Sequence, residues 1–350
     1  MNKIYLITGA AGHLGGAICS LLKSRGERVR GLAHYADNTE FIEQLGVEII
    51  RGDVTDKASL RPLFENCESA YLIHTAAIVD INSAENEYMR QVNVDGTKNV
   101  VSLAREYGVK KTVYVSSVHA IPVLPHGRVM REVRDFSPET VDGAYAKSKA
   151  EAASYVLDEI QDGFNACIVH PSGIIGPYPS RGNHIVQMIK NYVKGILPGC
   201  IRGGYDFVDV RDCALGIVSA MEQGRTGECY LLSGGYYSII EMLKMLKEIT
   251  QGKSVRVWPT WMAKMVAPAM AKAALRKGMK PIFTSYSLST LGVNGRFSHD
   301  KATSELGFMP RELYETLEDT VNWLYSDGEC VKKIKKIRGK YAVKRVRLGT

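Results

Sequence analysis

Three side chains in the middle of the sequence have the types and spacing needed for proton transfer. Tyr145 and Lys149 are four residues apart in a strongly helical stretch, so both side chains point from one face of that helix. A free tyrosine, whose pKa is about 10, is only about one part in a thousand ionised at pH 7. An ammonium group about 4 Å away, in an effective dielectric near 20, would bring that pKa to about 7. The phenol would then be a usable acid or base near neutrality.

The third side chain, Ser117, follows the apolar run Thr112 to Val115 and a first serine, Ser116. The pattern predicts a strand that delivers two hydroxyl groups at its carboxyl end, where ligands bind in open α/β sheets. Ser117 would then hydrogen-bond a substrate oxygen. A Tyr-x-x-x-Lys spacing is common on amphipathic helices, so the interpretation depends on the elements that surround it.

The first sixteen residues supply that context. An apolar run, residues 4–7, leads into Gly9, Gly12 and Gly15, and helix-like residues 17–22 follow. This order predicts a strand, a tight glycine turn and a helix, with backbone N–H groups and the helix N-terminus turned toward a pyrophosphate. The spacing therefore predicts dinucleotide binding. Lys149 would also hold the nicotinamide ribose.

Apolar runs alternate with helix-like segments from residue 4 to about residue 175, a pattern typical of a parallel sheet with helices on both faces. The second predicted strand, 28–33, ends beside the adenosine ribose in such folds. No acidic residue follows it until Asp37, and Arg30 and His34 are the nearby basic side chains. This favours NADP(H) over NAD(H); the alternative is that both basic residues are solvated surface.

Two further strand ends carry candidate polar or small residues. Asp53 ends a predicted strand over 47–54 and either accepts from the adenine amino group or caps the following helix. A predicted strand over 70–77 runs into small residues at its end, which allow close passage of a ribose or phosphate. Asn93 opens a predicted helix that runs to about Tyr107, and we interpret it as a structural hydrogen-bonding residue.

Composition limits the alternatives. The chain has 350 residues, of which 45% are hydrophobic and 23% charged, as is ordinary for a globular protein. Seven scattered cysteines without a C-x-x-C pair predict reduced thiols and a cytoplasmic location, and the histidine spacings predict no metal site. The net charge of +8 comes from residues 331–350, which hold nine Lys or Arg and no acid. The body is therefore nearly neutral, which excludes an electrostatic nucleic-acid interface.

The sequence resembles the extended short-chain dehydrogenase/reductases over about residues 3 to 325. The resemblance is carried by six segments, at 8–15, 52–54, 74–77, 115–117, 145–149 and 170–177. It implies an α/β fold, a Rossmann doubly wound parallel sheet over 1–177, with a smaller, interleaved C-terminal substrate-binding region over 178–329. Residues 330–350 are expected to form a basic tail.

The resemblance also implies residue roles. The catalytic triad would be Ser117, Tyr145 and Lys149, with Tyr145 exchanging a proton while hydride passes to or from a nicotinamide. The dinucleotide would be held by Gly9, Gly12, His13, Leu14, Gly15, His34, Asp53, Val54, Thr75, Ala76, Ala77, Ser116, Tyr145, Lys149, Pro171, Ser172, Gly173 and Ile174.

Two positions bear on the branch of the family. Nucleotide-sugar members usually have Asn where this chain has Gly173, and Arg, which clamps the diphosphate, where it has Tyr205. The sequence of residues 171–177 instead resembles that of the 3β-hydroxysteroid dehydrogenase and dihydroflavonol reductase branch. Arg181, Arg202 or Arg211 could replace the missing clamp.

The apolar segment 255–275 contains two of the three tryptophans and several methionines. It predicts a helix that lies as a lid over a steroid- or flavonoid-like substrate; the alternative is a packing helix or a dimer face. These features predict an oxidoreductase that interconverts a hydroxyl and a ketone on a bulky, largely apolar molecule. The alternatives are a nucleotide-sugar epimerase or dehydratase with tightly bound NAD, and a non-catalytic NADPH-binding redox sensor.

The tail at 331–338 has apolar residues three apart among lysines, which on a helix would form a basic strip suited to weak contact with an anionic membrane surface. A disordered, solvated tail is the alternative. By analogy with the family, the chain is expected to form a homodimer.

Overall fold

The computed structural model describes residues 3–67, 69–79, 86–180, 182–276 and 291–326. Ten strands lie in this part of the chain. In chain order they are β1 (Ile4–Thr8), β2 (Arg28–Ala33), β3 (Glu48–Arg51), β4 (Ala70–His74), β5 (Lys111–Val115), β6 (Ala166–Pro171), β7 (Gly173–Ile175), β8 (Gly204–Asp209), β9 (Cys229–Leu232) and β10 (Tyr236–Ser238).

Seven of these strands form one parallel sheet in the order β3-β2-β1-β4-β5-β6-β9. The order reverses beside β1, where the chain crosses from one half of the sheet to the other. The Rossmann-type α/β fold predicted from the sequence is therefore confirmed. β9 is separated from β6 by more than fifty residues of chain, so the C-terminal part contributes to the main sheet.

Helices cover both faces of this sheet. The described helices are α1 (His13–Ser24), α2 (Glu40–Gln44), α3 (Lys57–Phe64), α4 (Glu87–Arg90), α5 (Gly96–Glu106), α6 (Ala144–Gln161), α7 (His184–Val193), α8 (Val210–Gln223), α9 (Ile239–Thr250), α10 (Thr260–Arg276), α11 (Asp300–Leu306) and α12 (Leu313–Ser326). None of them combines the length and the apolar character needed to cross a bilayer.

Alternate residues of β1 show why both faces are covered. Ile4 and Leu6 pack in one apolar cluster, and Tyr5 and Ile7 pack in another on the opposite face. All five residues of the strand are buried. A strand buried on both faces needs an uninterrupted apolar run, which explains the sequence of β1.

A second, three-stranded sheet has the order β10-β8-β7, with β8 parallel to β7 and antiparallel to β10. It packs against α7, α9 and α12 through an apolar cluster that includes Ile175, Phe207, Met242 and Leu317. Because β7 follows β6 directly, this sheet begins at the carboxyl edge of the main sheet, where ligands bind in this architecture.

Four predicted elements differ in their bounds. The strands expected over 47–54, 70–77 and 112–117 end earlier, at Arg51, His74 and Val115, because the chain then leaves the sheet. The helix expected from Val92 begins at Glu87 and contains a π-helical turn, Gln91–Asp95.

The segment expected as a lid does form a helix, α10. Its Ala263 and Ala267 are buried with Ile201, whereas Trp261 and Met265 are about two-thirds exposed. These two large side chains therefore do not enclose a substrate pocket.

The turn after β1 depends on an unusually close approach of two backbone segments. Gly9 has φ +67°, in the left-handed region, and a Cβ there would lie 2.9 Å from the Ala76 backbone. At Gly15, a Cβ would lie 2.1 Å from the Gly9 carbonyl oxygen. Both positions therefore require glycine for packing, as the spacing predicts.

Gly15→Ala is expected to lower the free energy of unfolding by at least about 3 kcal/mol, because the added methyl group meets backbone that cannot move away. Urea unfolding of the purified variant measures this. Gly16→Ala is the matched control, since a Cβ there meets only the Phe41 ring at 3.4 Å, and it should stay within about 1 kcal/mol of wild type. Equal stability of the two variants would contradict the close-approach argument.

Candidate active site

The three candidate catalytic residues meet at the carboxyl edge of β5. Ser117 lies two residues beyond the strand, and Tyr145 and Lys149 lie on the first turns of α6, which packs against the short helical turn Val118–Ala120 after β5. All three residues are buried. Two features of the fold, the end of a strand and one face of a helix, bring together side chains that are 28 residues apart.

Lys149 is held by the strand itself. Its Nζ donates to the Val115 carbonyl oxygen at 2.8 Å and lies 3.5 Å from the Tyr114 hydroxyl and 5.0 Å from the centre of that ring. Within the described residues no carboxylate forms an ion pair with it. Burial therefore lowers the pKa of Lys149 from 10.5 to about 7. This ammonium can exchange its proton near neutral pH.

Ser117 is positioned by two backbone contacts. Its Oγ accepts from the His119 N–H at 3.2 Å, and its carbonyl oxygen accepts from His170 Nδ1 at 3.1 Å. Burial lowers the pKa of His170 to about 4, so the ring is neutral and stacks on Phe136. The Ser117 Oγ–H remains able to donate to a substrate oxygen.

His119 and Tyr205 form an aromatic wall beside Tyr145. The Tyr205 hydroxyl lies 2.8 Å from His119 Nε2, and the two rings stack with centroids 5.7 Å apart. The edge of His119 faces Tyr145, with ring centroids 5.8 Å apart. Burial lowers the pKa of His119 to about 4, so this wall carries no charge at neutral pH. His119 was not singled out from the sequence; its signal was its place two residues after Ser117.

The glycine turn lies against the end of β4 and leaves the N-terminus of α1 open. Thr8 Oγ1 accepts from the backbone N–H groups of Thr75 and Ala76, each at 3.2 Å, and lies 2.6 Å from His74 Nδ1. Gly12 is the N-cap of α1, no side chain caps it, and the first turn has no acidic residue. Free N–H groups at a helix start without a competing carboxylate suit the pyrophosphate of a dinucleotide, so the residues present fit such a cofactor.

The His13 ring has a different partner from the one expected. His13 Nε2 lies 2.8 Å from the Pro177 carbonyl oxygen, and Nδ1 lies 3.2 Å from Asn183 Nδ2. The ring therefore ties the glycine turn to the chain beyond β7, and only the His13 backbone N–H faces the open helix end. Asn183, which also donates to the Ile174 carbonyl oxygen, was missed because its sequence position gives no signal.

Beside the end of β2, the structure separates the two basic residues that were candidates for the extra phosphate. Arg30 is buried, and its Nη1 donates to the carbonyl oxygens of Leu63 and Glu65, so this candidate was wrong. His34 is half-exposed, with Nε2 3.6 Å from an Asp53 carboxylate oxygen.

Arg51 stands beside His34 and was not predicted from the sequence. Its Nη1 donates to the carbonyl oxygens of His34 and Asp37, at 3.0 and 2.9 Å, and Nη2 donates to Thr39 at 2.6 Å. Its signal was a basic residue at a strand end, two positions before Asp53. Asp53 Oδ1 accepts from the Thr55 N–H, whereas Asp56 caps α3, so the capping alternative for Asp53 was also wrong.

At the two positions that distinguish the branches, Gly173 and Tyr205 contact each other. A Cβ at residue 173 would lie 2.9 Å from a Tyr205 ring carbon and 2.8 Å from the Asp206 carbonyl oxygen. The tyrosine ring therefore occupies the space that a larger side chain at 173 would need. Of the other predicted residues in this segment, Pro171 and Ser172 are buried and Ile174 is half-buried.

The structure describes two of the three candidate replacement clamp residues, Arg202 and Arg211. Arg211 pairs with Asp209 and Asp319, each at 2.7 Å, which leaves little of its guanidinium for a diphosphate. Arg202 is exposed, and Arg181 lies outside the described residues. Asn93, by contrast, has the structural role expected: it bonds both backbone groups of Ile78 and the Ser148 hydroxyl.

Two cavities, of about 330 and 290 Å³, lie where the segment around 126–129 meets residues 293–297. Asp206 lines the smaller cavity, and burial raises the pKa of its carboxyl to about 7. Across the described ranges, no group of three or more His, Cys, Asp or Glu side chains is arranged to hold a metal ion.

The burial of Lys149 predicts a specific pH dependence of stability. Between about pH 7 and pH 10.5 this lysine is neutral in the folded chain and protonated in the unfolded chain, so unfolding takes up a proton. Raising the pH therefore stabilises the cofactor-free protein, by up to about 1.4 kcal/mol per pH unit from this one group. Lys149→Met should lose that contribution in urea unfolding measured from pH 7 to pH 9.5.

Lys147→Met is the matched control, because Lys147 is exposed on the same helix, and it should keep the wild-type profile. If Lys149→Met also kept the wild-type profile, Lys149 would not have a lowered pKa.

Comparison with known proteins places this geometry in a family. A sequence model described as the NAD dependent epimerase/dehydratase family matches residues 5–233. The sterol demethylase protein B of Methylococcus capsulatus is 31% identical over 331 residues, which cover 92% of this chain and 98% of that protein. The 4-hydroxy-2-methyl-3-oxo-4-farnesyl-3,4-dihydroquinoline-1-oxide ketoreductase of Stigmatella aurantiaca is 27% identical over 319 residues, covering 88% and 92%.

The crystal structure of the UDP-glucose 4-epimerase of Thermus thermophilus in complex with NAD has the same fold. Its TM-score is 0.73 at 22% identity, and the match covers 92% of this chain and 99% of that one. The family resemblance seen in the motifs is confirmed by the family match and by the relatives. The chain belongs to the NAD-dependent epimerase/dehydratase family and is an extended short-chain dehydrogenase/reductase.

Proposed function

We propose that the protein is an NADP(H)-favouring oxidoreductase that interconverts a hydroxyl and a ketone on a bulky, largely apolar substrate. The observation that carries this proposal is the buried, carboxylate-free Lys149 on the same helix face as Tyr145, beside Ser117. A structural lysine at such a position would be expected to have an anionic partner. A protein that only binds a cofactor needs neither the serine nor the tyrosine.

Each of the three residues has a distinct part in ketone reduction. The Ser117 hydroxyl donates a hydrogen bond to the carbonyl oxygen, and Tyr145 delivers its proton to the same oxygen as the alcohol forms. The Lys149 ammonium stabilises the phenolate that remains and binds the nicotinamide ribose. A bound nicotinamide supplies the hydride for the carbonyl carbon, and the reverse direction returns the proton to Tyr145.

The cofactor would lie along the carboxyl edge of the main sheet. Its pyrophosphate would meet the N–H groups of the glycine turn, residues 9–15, and its adenosine would reach the ends of β2 and β3. The segments at 75–77 and 171–174 would border its nicotinamide half, with Asp53 and Val54 near the adenine.

The apolar substrate class is supported by the wall beside Tyr145. His119 and Tyr205 are neutral, and Tyr205 stands where a diphosphate-clamping arginine is found in nucleotide-sugar members of the family. Its ring also fills the space beside Gly173. The names of two relatives, a sterol demethylase protein and a farnesyl-dihydroquinoline ketoreductase, refer to apolar ring systems.

The NADP(H) preference is supported by charge at the β2–β3 edge. The Arg51 guanidinium bonds the His34 carbonyl oxygen, so both basic residues stand where an extra phosphate on the ribose would lie. The six described cysteines are free thiols, which suits the reducing cytoplasm that we propose as its location. By analogy with the family, we also propose that the protein forms a homodimer.

The proposed reaction predicts that purified protein oxidises NADPH, followed at 340 nm, in the presence of ketosteroid or flavonoid ketones. Tyr145→Phe should lower kcat by roughly 10²- to 10⁴-fold while the Kd for NADPH stays within about threefold, because the hydroxyl serves the proton transfer. Tyr155→Phe, half-buried further along the same helix, is the control and should retain activity.

Other outcomes would assign the protein to the alternative classes. Retention of NAD through purification, with turnover of a nucleotide sugar and none of ketones, would identify an epimerase or dehydratase. Tight NADPH binding without turnover of either panel, and an unaltered cellular phenotype for Tyr145→Phe, would favour a redox sensor.

Arg51→Ala tests the cofactor preference. Loss of a charge-assisted hydrogen bond should raise the KM for NADPH roughly tenfold or more while the KM for NADH changes less than about threefold. Arg28→Ala, an exposed arginine at the opposite end of β2, should change neither. Equal increases for both cofactors would show that Arg51 only holds the loop at 34–39.

A further inference from the structure

Helix α10 buries two small residues and exposes two large apolar residues. Ala263 and Ala267 are 2% exposed and pack against Ile201, whereas Trp261 is 68% exposed and Met265 is 67% exposed. A helix that packs on a globular body normally has the reverse arrangement. The exposed side of α10 therefore needs a different explanation from the packing of the domain.

Neighbouring segments extend this apolar side. The Cys200 N–H donates to the Arg256 carbonyl oxygen, and the Trp258 N–H donates to the Cys200 carbonyl oxygen. The chain before α10 therefore lies beside the segment that ends at Cys200. Trp258 packs inward against Gly199, and Val257, the next residue back, is 44% exposed. Ile196 is 56% exposed. We call Ile196, Val257, Trp261 and Met265 the apolar face.

The chain around this face is basic and contains no acid. Residues 249–276 include five Lys or Arg, at 253, 256, 264, 272 and 276, and no Asp or Glu. At the chain-wide frequency of 37 acidic residues in 350, about three would be expected in a stretch of this length. Positive charge is therefore concentrated in this segment, although the chain without residues 331–350 is nearly neutral overall.

We propose that the apolar face docks the protein onto the surface of an anionic lipid bilayer. Tryptophan is suited to the boundary between headgroups and acyl chains, and methionine and the aliphatic residues reach the apolar region beyond it. Surrounding lysines and arginines are attracted to anionic headgroups, each by a favourable interaction that salt screens. The exposed residues and the basic segment thus supply the two signals that peripheral binding requires.

A second copy of the chain fits this face less well. A symmetric dimer places the same surface on both sides of the interface. Two basic segments without a single acidic residue would then face each other, and like charges would oppose the association. An anionic bilayer supplies the complementary charge instead.

The apolar face is defined by exposure and charge alone, so bilayer docking does not depend on the proposed reaction. It is tested by co-sedimentation of the full-length protein with vesicles of phosphatidylcholine, with and without 30 mol% phosphatidylglycerol. Binding to the anionic vesicles should be at least tenfold stronger and should weaken as salt is raised from 50 to 500 mM.

Two variants localise the contact. Met265→Glu should lower the vesicle partition coefficient at least tenfold, because it places a carboxylate in the apolar face. Met309→Glu is the matched control, since Met309 is 79% exposed on another part of the surface, and it should bind within twofold of wild type. Brominated lipids should quench the tryptophan fluorescence of wild type much more than that of Trp261→Phe.

Three results would overturn the proposal. In the first, Met265→Glu and Met309→Glu would bind vesicles equally, and brominated lipids would quench the fluorescence of Trp261→Phe as much as that of wild type. Binding could survive Met265→Glu but disappear when Lys332, Lys333, Lys335 and Lys336 are replaced by glutamine in the full chain, which would assign the contact to the tail. Met265→Glu could change the mass in light scattering while vesicle binding stays the same, which would make the face an interface between two copies. Ketone reduction, assayed without vesicles, would stand in each case.

Discussion

The burial of the Lys149 ammonium without a carboxylate partner is the constraint on which the candidate site depends. The group can be accommodated because the Val115 carbonyl oxygen and the Tyr114 ring lie beside it, and both belong to β5. Helix α6 must therefore pack on β5 in one register. That register also brings Tyr145 next to the chain that leaves β5 at Ser117. The arrangement of the candidate triad thus follows from satisfying one buried charge.

The glycine turn is constrained in a similar way at the same carboxyl edge of the sheet, at the end of β1. Thr8, His74 and the backbone of residues 75–76 form a closed hydrogen-bonded set between β1 and β4. This set draws the two strand ends so close that only glycine fits at residue 9. The start of α1 beside this turn has no side-chain cap, so its backbone N–H groups are available to a phosphate.

The substrate side of the molecule depends on contacts between residues that are distant in the chain. Gly173 and Tyr205 lie on adjacent strands and share one space, so a change at one position limits the other. Tyr205 also reaches His119 in the loop after β5. The aromatic wall of His119 and Tyr205 beside the candidate triad therefore depends on segments from both sheets.

The sequence alone determined the fold class and the glycine turn, because strand and helix periodicity and the common carboxyl edge of parallel strands are local or general rules. The same rules predict that Ser117, Tyr145 and Lys149 share one site, which stays a prediction. The sequence did not show that Arg30 is buried or that Arg51 lies beside His34, because burial depends on the strand face and the strand end at which each arginine lies. Nor did it show that His119 contacts Tyr205 or that the Trp261 side chain is exposed. Those properties depend on which segments pack together, and only the tertiary structure decides which side chains are buried, paired or left at the surface.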